Sequence, residues 1–418
     1  MQDICGIDAQ TLREAARIYA TSKRSIIFWG MGISQHVHGT DNVRSLIALA
    51  TITGQIGRAG TGLHPLRGQN NVQGASDAGL IPMLLPDYQP VANSEVRQKF
   101  EAAWDSPIDP KPCLTVVEII DAACAGDIKG MYVMGENPAM SDPDTKHART
   151  GLAKLDHLVV QEIFLTETAM FADVILPASA FPEKSGTFTN TNRQVQLARP
   201  ALDLPGEARQ DWSIIQDLAQ GLGLNWNYQH VSEVYEEMRS VMPSITGISW
   251  NRLNAEDAVT YPCASEDAAG EPIIFRNGFP TPNGRAQLKP TRIVSPDETP
   301  DAEYPMVLTT GRVLEHWHTG AMTRRASVLD GREPEAMAHV NPRWLRKQNL
   351  EAGAEVIVAT RRGEIRLRTR ADQHVAENMV FIPFCYAESP ANMLTNPALD
   401  PFGKIPEFKF CAAKIEAV

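Results

Sequence analysis

Arg67 sits in the run His64-Pro-Leu-Arg-Gly-Gln-Asn-Asn-Val-Gln-Gly-Ala-Ser-Asp-Ala-Gly79, polar and studded with glycine but not low in complexity. The guanidinium is a planar, permanently charged fork that matches a carboxylate or a phosphate with two parallel hydrogen bonds. Gln69, Asn70, Asn71 and Gln73 add donors and acceptors suited to a heteroaromatic edge. Gly68, Gly74 and Gly79 let the backbone turn and approach a ligand closely. One arginine and four amides between glycines read as a wall built around a polar, anionic ligand. Taken singly, each of these amides serves a self-satisfying turn about as well.

A second cluster is Thr310-Gly-Arg-Val-Leu-Glu-His-Trp-His-Thr319, which follows an apolar strand. His316 and His318 are spaced as H-x-H, a pattern found in metal sites, but no third ligand is evident nearby. The six cysteines are scattered and form no C-x-x-C pair, so neither a zinc nor an iron–sulfur signature is present. Cys5 precedes glycine and is not read as a metal ligand, so no metal ligand is assigned.

The elements that must position these residues fall into two styles. The first half alternates strand and helix. A helix over Asp8–Thr21, capped by Asp8, leads into a strand at Ile26–Trp29, and a helix over Asn42–Thr53 has Asp41 as its expected cap. A helix at Thr115–Ala125 precedes strands near Lys129–Met134, Leu158–Phe164 and Asp173–Pro177, with a helix starting at Thr166. Such alternation predicts a parallel sheet with covering helices, whose ligands lie at the carboxyl ends of the strands. Gly135–Pro138, Gln161–Glu162 and the residues after Pro177 would share that edge. Asp211–Leu222 reads as a helix with Gly223 at its end, and Asp211 competes for the role of N-cap. A Pro-, Gly- and acid-rich connector from Pro262 to Pro305 is followed by strands near residues 306, 355, 364 and 379, with a short helix at Asn341–Gln348. This last part predicts a β-barrel.

Bulk properties bound the function. The 418 residues carry 39 basic and 50 acidic side chains, net −11, which argues against nucleic acid or an anionic membrane as partner. No apolar run is long enough to span a bilayer and no signal peptide is read at the start, so the expected location is the cytoplasm.

The chain resembles the C-terminal part of the large subunit of NAD-linked molybdenum- or tungsten-containing formate dehydrogenases, members of the bis-molybdopterin guanine dinucleotide oxidoreductases. The residues that carry the resemblance are Gly62–Asp77, Met134-Gly-Glu-Asn-Pro138, Ala172–Pro177, Thr310–Thr319, Asn392-Met-Leu-Thr and Pro406–Ala412. The resemblance implies α/β domains followed by a C-terminal double-psi β-barrel: residues 1–68 as the tail of one α/β domain, 69–275 as the guanine dinucleotide domain and 276–418 as the barrel.

It also implies roles. Arg67 would orient formate, with His64, Gly68, Gln69 and Asn71 along the substrate channel. Asn137, Gln161, Glu162, Lys184 and Asp211 would surround one guanine nucleotide. Thr310, Gly311, Arg312, His316, His318, Thr319, Phe384, Asn392 and Lys409 would hold the rest of the cofactor. Iron–sulfur and flavin-bearing diaphorase subunits that reduce NAD are the implied partners. The family's metal-ligating cysteine or selenocysteine and its [4Fe–4S] cysteines lie upstream of the arginine motif. The 66 residues before Arg67 reproduce neither, so the expectation is a partial chain, inactive alone. A related nitrate reductase and a non-catalytic cofactor-binding remnant are the competing readings.

Overall fold

The structure is a computed structural model that describes residues 2–418. Its first unit is small. Asp8 caps the helix Ala9–Thr21 through the amides of Gln10 and Thr11. Strand β1 (Ile26–Trp29) pairs in parallel with β2 (Gly62–Pro65), setting Phe28 opposite His64. Between them the helix Gly39–Ile52 starts three residues before the expected Asn42, and Asp41 is not its cap. Asp41 pairs with Arg44 at 3.0 Å. The cap comes from far along the chain: Asp400 accepts the Thr40 amide at 3.0 Å and the Thr40 hydroxyl at 2.7 Å.

The expected parallel sheet follows. Strands β3 (Gly130–Met134), β4 (His157–Glu162) and β5 (Val174–Pro177) lie side by side in that order. Ile120 and Leu152, from the helices Val116–Ala125 and Thr145–Ala153, close over Val133, Leu158 and Val160 to form a core. The helix expected from Thr166 shrinks to one 3-10 turn at Ala169–Phe171.

Next comes an antiparallel sheet absent from the sequence reading: β6 (Gly186–Thr189), β7 (Gln194–Ala198) and β8 (Ala258–Thr260). Its core is separate and includes Phe100, Val195, Tyr235, Ile248 and Leu253. Residues 69–275 therefore hold two hydrophobic cores. No helix or strand occurs from 261 to 305, where the connector was expected.

The last unit is a closed six-stranded barrel. Its strands are β9 (Met306–Gly311), β10 (Met337–Val340), β11 (Glu355–Thr360), β12 (Gly363–Ala371), β13 (Met379–Pro383) and β14 (Cys411–Ala417), arranged β9-β13-β10-β12-β11-β14. Along β12, Ile365, Leu367 and Thr369 face inward while Glu364, Arg366 and Arg368 face water, the period of two that a barrel wall requires. Strands β10 and β14 escaped the sequence reading. Each is short or small-residue-rich and carries little apolar bulk.

Buried carboxylates lock the first unit to the segment that precedes β14. Glu407, fully buried, accepts the Val37 amide at 2.9 Å and meets His36 Nδ1 at 2.7 Å. Asp400, also fully buried, binds Thr40 as above and turns its own loop through the amides of Phe402 and Gly403. No helix of the described residues is long and apolar enough to cross a membrane.

Replacing Asp400 by Ala removes the acceptor of the Thr40, Phe402 and Gly403 amides and should cost about 2–4 kcal/mol in urea denaturation. Burial pushes the Asp400 carboxyl up, but Thr40 and the loop amides outweigh it and the net shift is downward. Its contribution should therefore be present above the ordinary carboxylate range, be lost as pH falls through the lowered value, and be missing in the variant.

Candidate functional site

Parallel strands place the first group. β2 ends at Pro65, and Leu66 is held by its amide on the Trp29 carbonyl at 2.7 Å. Arg67 is thus presented just past the carboxyl end of a parallel strand. Its Nε is buried and has no hydrogen-bond partner. His64 lies one turn of the pleat back, its ring 5.3 Å from Phe28. Gln69 is exposed. Asn71 is engaged inside the protein, accepting the Thr189 amide at 2.9 Å, which ties the loop to β6.

Gly68 makes the junction with the barrel. A Cβ there would stand 2.8 Å from an Arg312 guanidinium nitrogen, so any larger residue would make the Arg312 side chain shift. In the barrel β9 and β13 run parallel, with Gly311 opposite Pro383, so the loops after them emerge together. That register brings the His318 ring 5.4 Å from Phe384, edge to face. It also explains Lys409: β14 is antiparallel to β9, and the residues just before it return to the end of β9. Lys409 Nζ donates to the Thr310 carbonyl at 2.6 Å, while the Thr310 hydroxyl donates to Phe408 O. Gly311 is required by packing, since a Cβ would sit 2.5 Å from the Phe381 ring.

The electrostatics of this corner are one-sided. Burial and the Arg312 charge push Lys409 down to about 8. Burial lowers Arg312 as well, although its outer edge remains open to solvent, where it lies 4.5 Å over the Trp317 ring. Burial and Arg312 push His318 down to about 4, so its ring is neutral at physiological pH. Neither cation has an acidic partner among the described residues. Two close, partly desolvated cations without a counter-charge cost energy unless an anion joins them.

His316 departs from its expected role. It is buried, with Nε2 against the Glu333 carbonyl at 2.7 Å and Nδ1 against the Thr323 hydroxyl at 3.3 Å. Both nitrogens are used within the protein, which makes it a packing residue. His318, two residues on, has a left-handed backbone (φ 51°), and its ring packs on Phe384 instead. Thr319 is buried behind it.

The second group gathers at the carboxyl edge of β3-β4-β5. Gln161, fully buried, accepts the Tyr132 hydroxyl and donates to Asp211 at 2.7 Å. Asp211 also pairs with Lys184, whose Nζ reaches the Ser179 carbonyl at 3.1 Å. The helix cap is Gln210, so Asp211 is free to point inward. A bridge between Ala178 and Arg209 brings this distant segment alongside β5. Burial raises the Glu162 carboxyl, and Asp211 adds to the rise. Ser179 Oγ is buried and unpartnered.

Asn137 has its own partners. Its amide is consumed by Glu167 at 2.7 Å and by the Thr168 hydroxyl at 2.8 Å. Asn392 donates to the Met140 and Ser141 carbonyls, while its Oδ1 is buried and unpartnered. Nearby Asp142 is also buried with one free oxygen, and burial pushes its carboxyl up to about 7.

Sequence reasoning missed that Gln73 gathers the buried Asp77, the half-buried Tyr261 and the exposed Tyr88, and it missed Glu407 and Asp400. No spacing signal links Asp77 to Tyr261, which are remote in sequence and meet only through the fold. Among the described residues no three His, Cys, Asp or Glu side chains cluster as a metal cage.

Comparison with known proteins fits this geometry. Residues 7–221 match the molybdopterin oxidoreductase family, and residues 306–412 match the Molydopterin dinucleotide binding domain. The chain is 46% identical over 417 residues to the F420-dependent formate dehydrogenase subunit alpha of Methanocaldococcus jannaschii, covering 99% of this chain and 61% of that protein. It is 34% identical to formate dehydrogenase H of Escherichia coli, covering 100% of this chain and 59% of that protein. The chain thus spans about three fifths of the length of these relatives. Among solved structures, acetylene hydratase from Pelobacter acetylenicus superposes with a TM-score of 0.76 at 18% identity, over 100% of this chain and 64% of that one, a likeness of fold.

The Lys409 shift makes a stability prediction. Its folded pKa of about 8 lies below the unfolded 10.5, so the ligand-free chain should gain stability as pH rises through that interval. Urea denaturation at pH 7.5 and 9.5 should show the gain in the parent chain, and Lys409→Met should flatten it.

Proposed function

Because this chain belongs to the molybdopterin oxidoreductase family, we propose that it forms one wall of a formate-oxidising site closed over a molybdenum or tungsten bis-molybdopterin guanine dinucleotide. The observation that carries this reading is Arg67: a half-buried guanidinium with an unpartnered Nε, at the end of β2, in a loop that touches Arg312. The cofactor fits the residues present. Arg312 and Lys409 lack a counter-anion and suit its phosphates. The neutral His318 ring and Phe384 suit a heteroaromatic face, and the unmet oxygen of Asn392 suits a ring N–H. Gln161, Glu162, Lys184 and Asp211 form a polar pocket whose carboxylates can accept from the N1–H and N2–H edge of guanine, and Ser179 Oγ is a free group beside it.

Formate offers two oxygens and one C–H. Two parallel hydrogen bonds from Arg67 fix both oxygens and leave the C–H directed away from the fork. Oxidation to CO2 releases one proton and two electrons, and the bound cofactor supplies the two-electron acceptor. Gln69, exposed next to Arg67, and His64 behind it flank the path by which formate arrives. Electrons would pass to companion subunits with iron–sulfur and flavin centres in the cytoplasm. NAD is the acceptor implied by the sequence resemblance; F420 is the acceptor in the archaeal relative's name.

In the enzyme assembled with cofactor and companion subunits, Arg67→Lys keeps the charge and loses the fork. It should lower kcat/KM for formate by roughly 100-fold or more, the scale of a misplaced substrate. Steady-state assays with formate and with nitrate check this. Turnover of nitrate without turnover of formate by the parent enzyme would sink the reading.

A further inference from the structure

The His36 ring bridges two acceptors. Its Nδ1 lies 2.7 Å from Glu407 Oε1, and its Nε2 lies 2.9 Å from the Gly32 carbonyl oxygen. A carbonyl and an ionised carboxylate can only accept, and a neutral imidazole has a single N–H. Neutral His36 therefore satisfies one partner, while the imidazolium satisfies both. Glu407 needs that charge. Its carboxyl is fully buried, and on Oε2 it accepts the Val37 amide at 2.9 Å. A buried carboxylate that loses its cation is left uncompensated. Burial pushes the His36 ring down, and the Lys409 charge adds to this. The Glu407 carboxylate and the Gly32 carbonyl outweigh both, and the net shift is upward.

Each end of this bridge leads to the anion-binding groups. Gly32 lies in the short helix Met31–Ser34 that follows β1. The end of β1 also holds Leu66, next to Arg67, through the Trp29 carbonyl. At the other end, Glu407 is followed by Phe408 and Lys409. The Phe408 carbonyl accepts the Thr310 hydroxyl at 3.0 Å, and Lys409 donates to the Thr310 carbonyl at 2.6 Å. Glu407–Lys409 thus spans from the first unit to the end of β9. The loop that presents His36 is tightly turned: a Cβ at Gly39 would stand 1.9 Å from the Ser34 carbonyl oxygen. The charged and titratable groups around the pair divide by element. Lys409 and Cys411 flank Glu407 on its own segment, and burial pushes the Cys411 thiol up to about 12, which keeps it neutral. His38 and the Asp41–Arg44 pair share the His36 side. Asp400 holds Thr40 with a carboxyl shifted downward, so that pin keeps its charge where histidine titrates.

We propose that His36 is a positioning residue that acts only as the imidazolium: with both N–H groups in place it clasps the loop after β1 to Glu407 and so holds Lys409 at the corner it shares with Arg312. Loss of one proton to solvent frees either the Gly32 carbonyl or Glu407, and the first unit loses its hold on the segment that carries Lys409. Affinity for a phosphate-type anion is thereby tied to a proton held outside the corner itself. This inference rests on the reading of Arg312 and Lys409 as a phosphate site. The folded pKa of His36 lies above the ordinary 6.5, so the clasp contributes fully below that value and is lost as pH rises through the raised one. Lys409 acts at higher pH and in the opposite direction, between about 8 and 10.5.

The test compares the parent chain with His36→Gln, which keeps one donor and cannot titrate. In nitrogen NMR of the histidine-labelled parent, the His36 signals are those missing from the variant. Both ring nitrogens should be mostly protonated at about pH 6.5, and a neutral ring at that pH would overturn the proposal. In urea denaturation, the stability difference between parent and variant should shrink by about half or more from pH 5.5 to pH 8. A purely structural ring predicts the same difference at both pH values, and that result also overturns it. Calorimetric binding of inorganic pyrophosphate to the cofactor-free chain reads the effect on the corner. The parent should bind about threefold more tightly than the variant at pH 5.5, a modest coupling, and the ratio should approach one at pH 8. Taking the ratio cancels the titration of pyrophosphate and of Lys409, which both chains keep. Equal affinities at pH 5.5 with a protonated His36 would refute the link to Lys409. If neither chain binds pyrophosphate, the phosphate reading of the corner fails, while NMR and urea denaturation still decide the clasp.

Discussion

Positive charge without a partner is the constraint around which this molecule is arranged. Arg312 and Lys409 stand together at one corner of the barrel, where burial disfavours both and the Arg312 charge lowers Lys409 further. Arg67 approaches from another unit with its Nε unmet. A chain of net charge −11 has carboxylates in surplus, so this concentration is not a shortage of acids. The acids nearby are engaged elsewhere. Glu407 is spent on His36 and Val37, and Asp77 accepts from Gln73.

Holding three cations open to a ligand requires that the loops bearing them cannot relax. The fold supplies this through buried polar pins rather than through apolar contact between units. Asp400 and Glu407 take backbone amides of the first unit, and Asn392 takes two carbonyls of the second. Such bonds have narrow geometry, and breaking one buries an unmet charge or dipole. They therefore set distance and angle where a hydrophobic face would allow sliding. The near contact of Gly68 with the Arg312 guanidinium is eased by the absence of a Cβ at this position.

What the sequence made legible divides along the range of the interaction. Local signals are legible: the Asp8 cap, the three parallel strands up to Pro177 and the short helix Pro342–Lys347. The resemblance located Gln161, Lys184 and Asp211, which the fold does bring together. The failures are long-range. The cap of the helix Gly39–Ile52 is Asp400, so no local pattern could announce it and Asp41 was the natural wrong choice. The β6-β7-β8 sheet joins strands separated by three helices. His316 and His318 look equivalent in a string of letters. In the fold the His316 ring is bonded to the Glu333 carbonyl, while left-handed His318 packs on Phe384, a distinction that no spacing announces.

The same electrostatic strain couples stability to occupancy. A ligand that binds only the folded chain adds RT ln(1 + [L]/Kd) to its stability, and an anion arriving between Arg312 and Lys409 also removes their mutual repulsion. The term that weakens the empty chain is therefore the term that strengthens binding. Raising the intrinsic stability of this corner, by giving either cation an acidic neighbour, would lower affinity for the anion by the same logic.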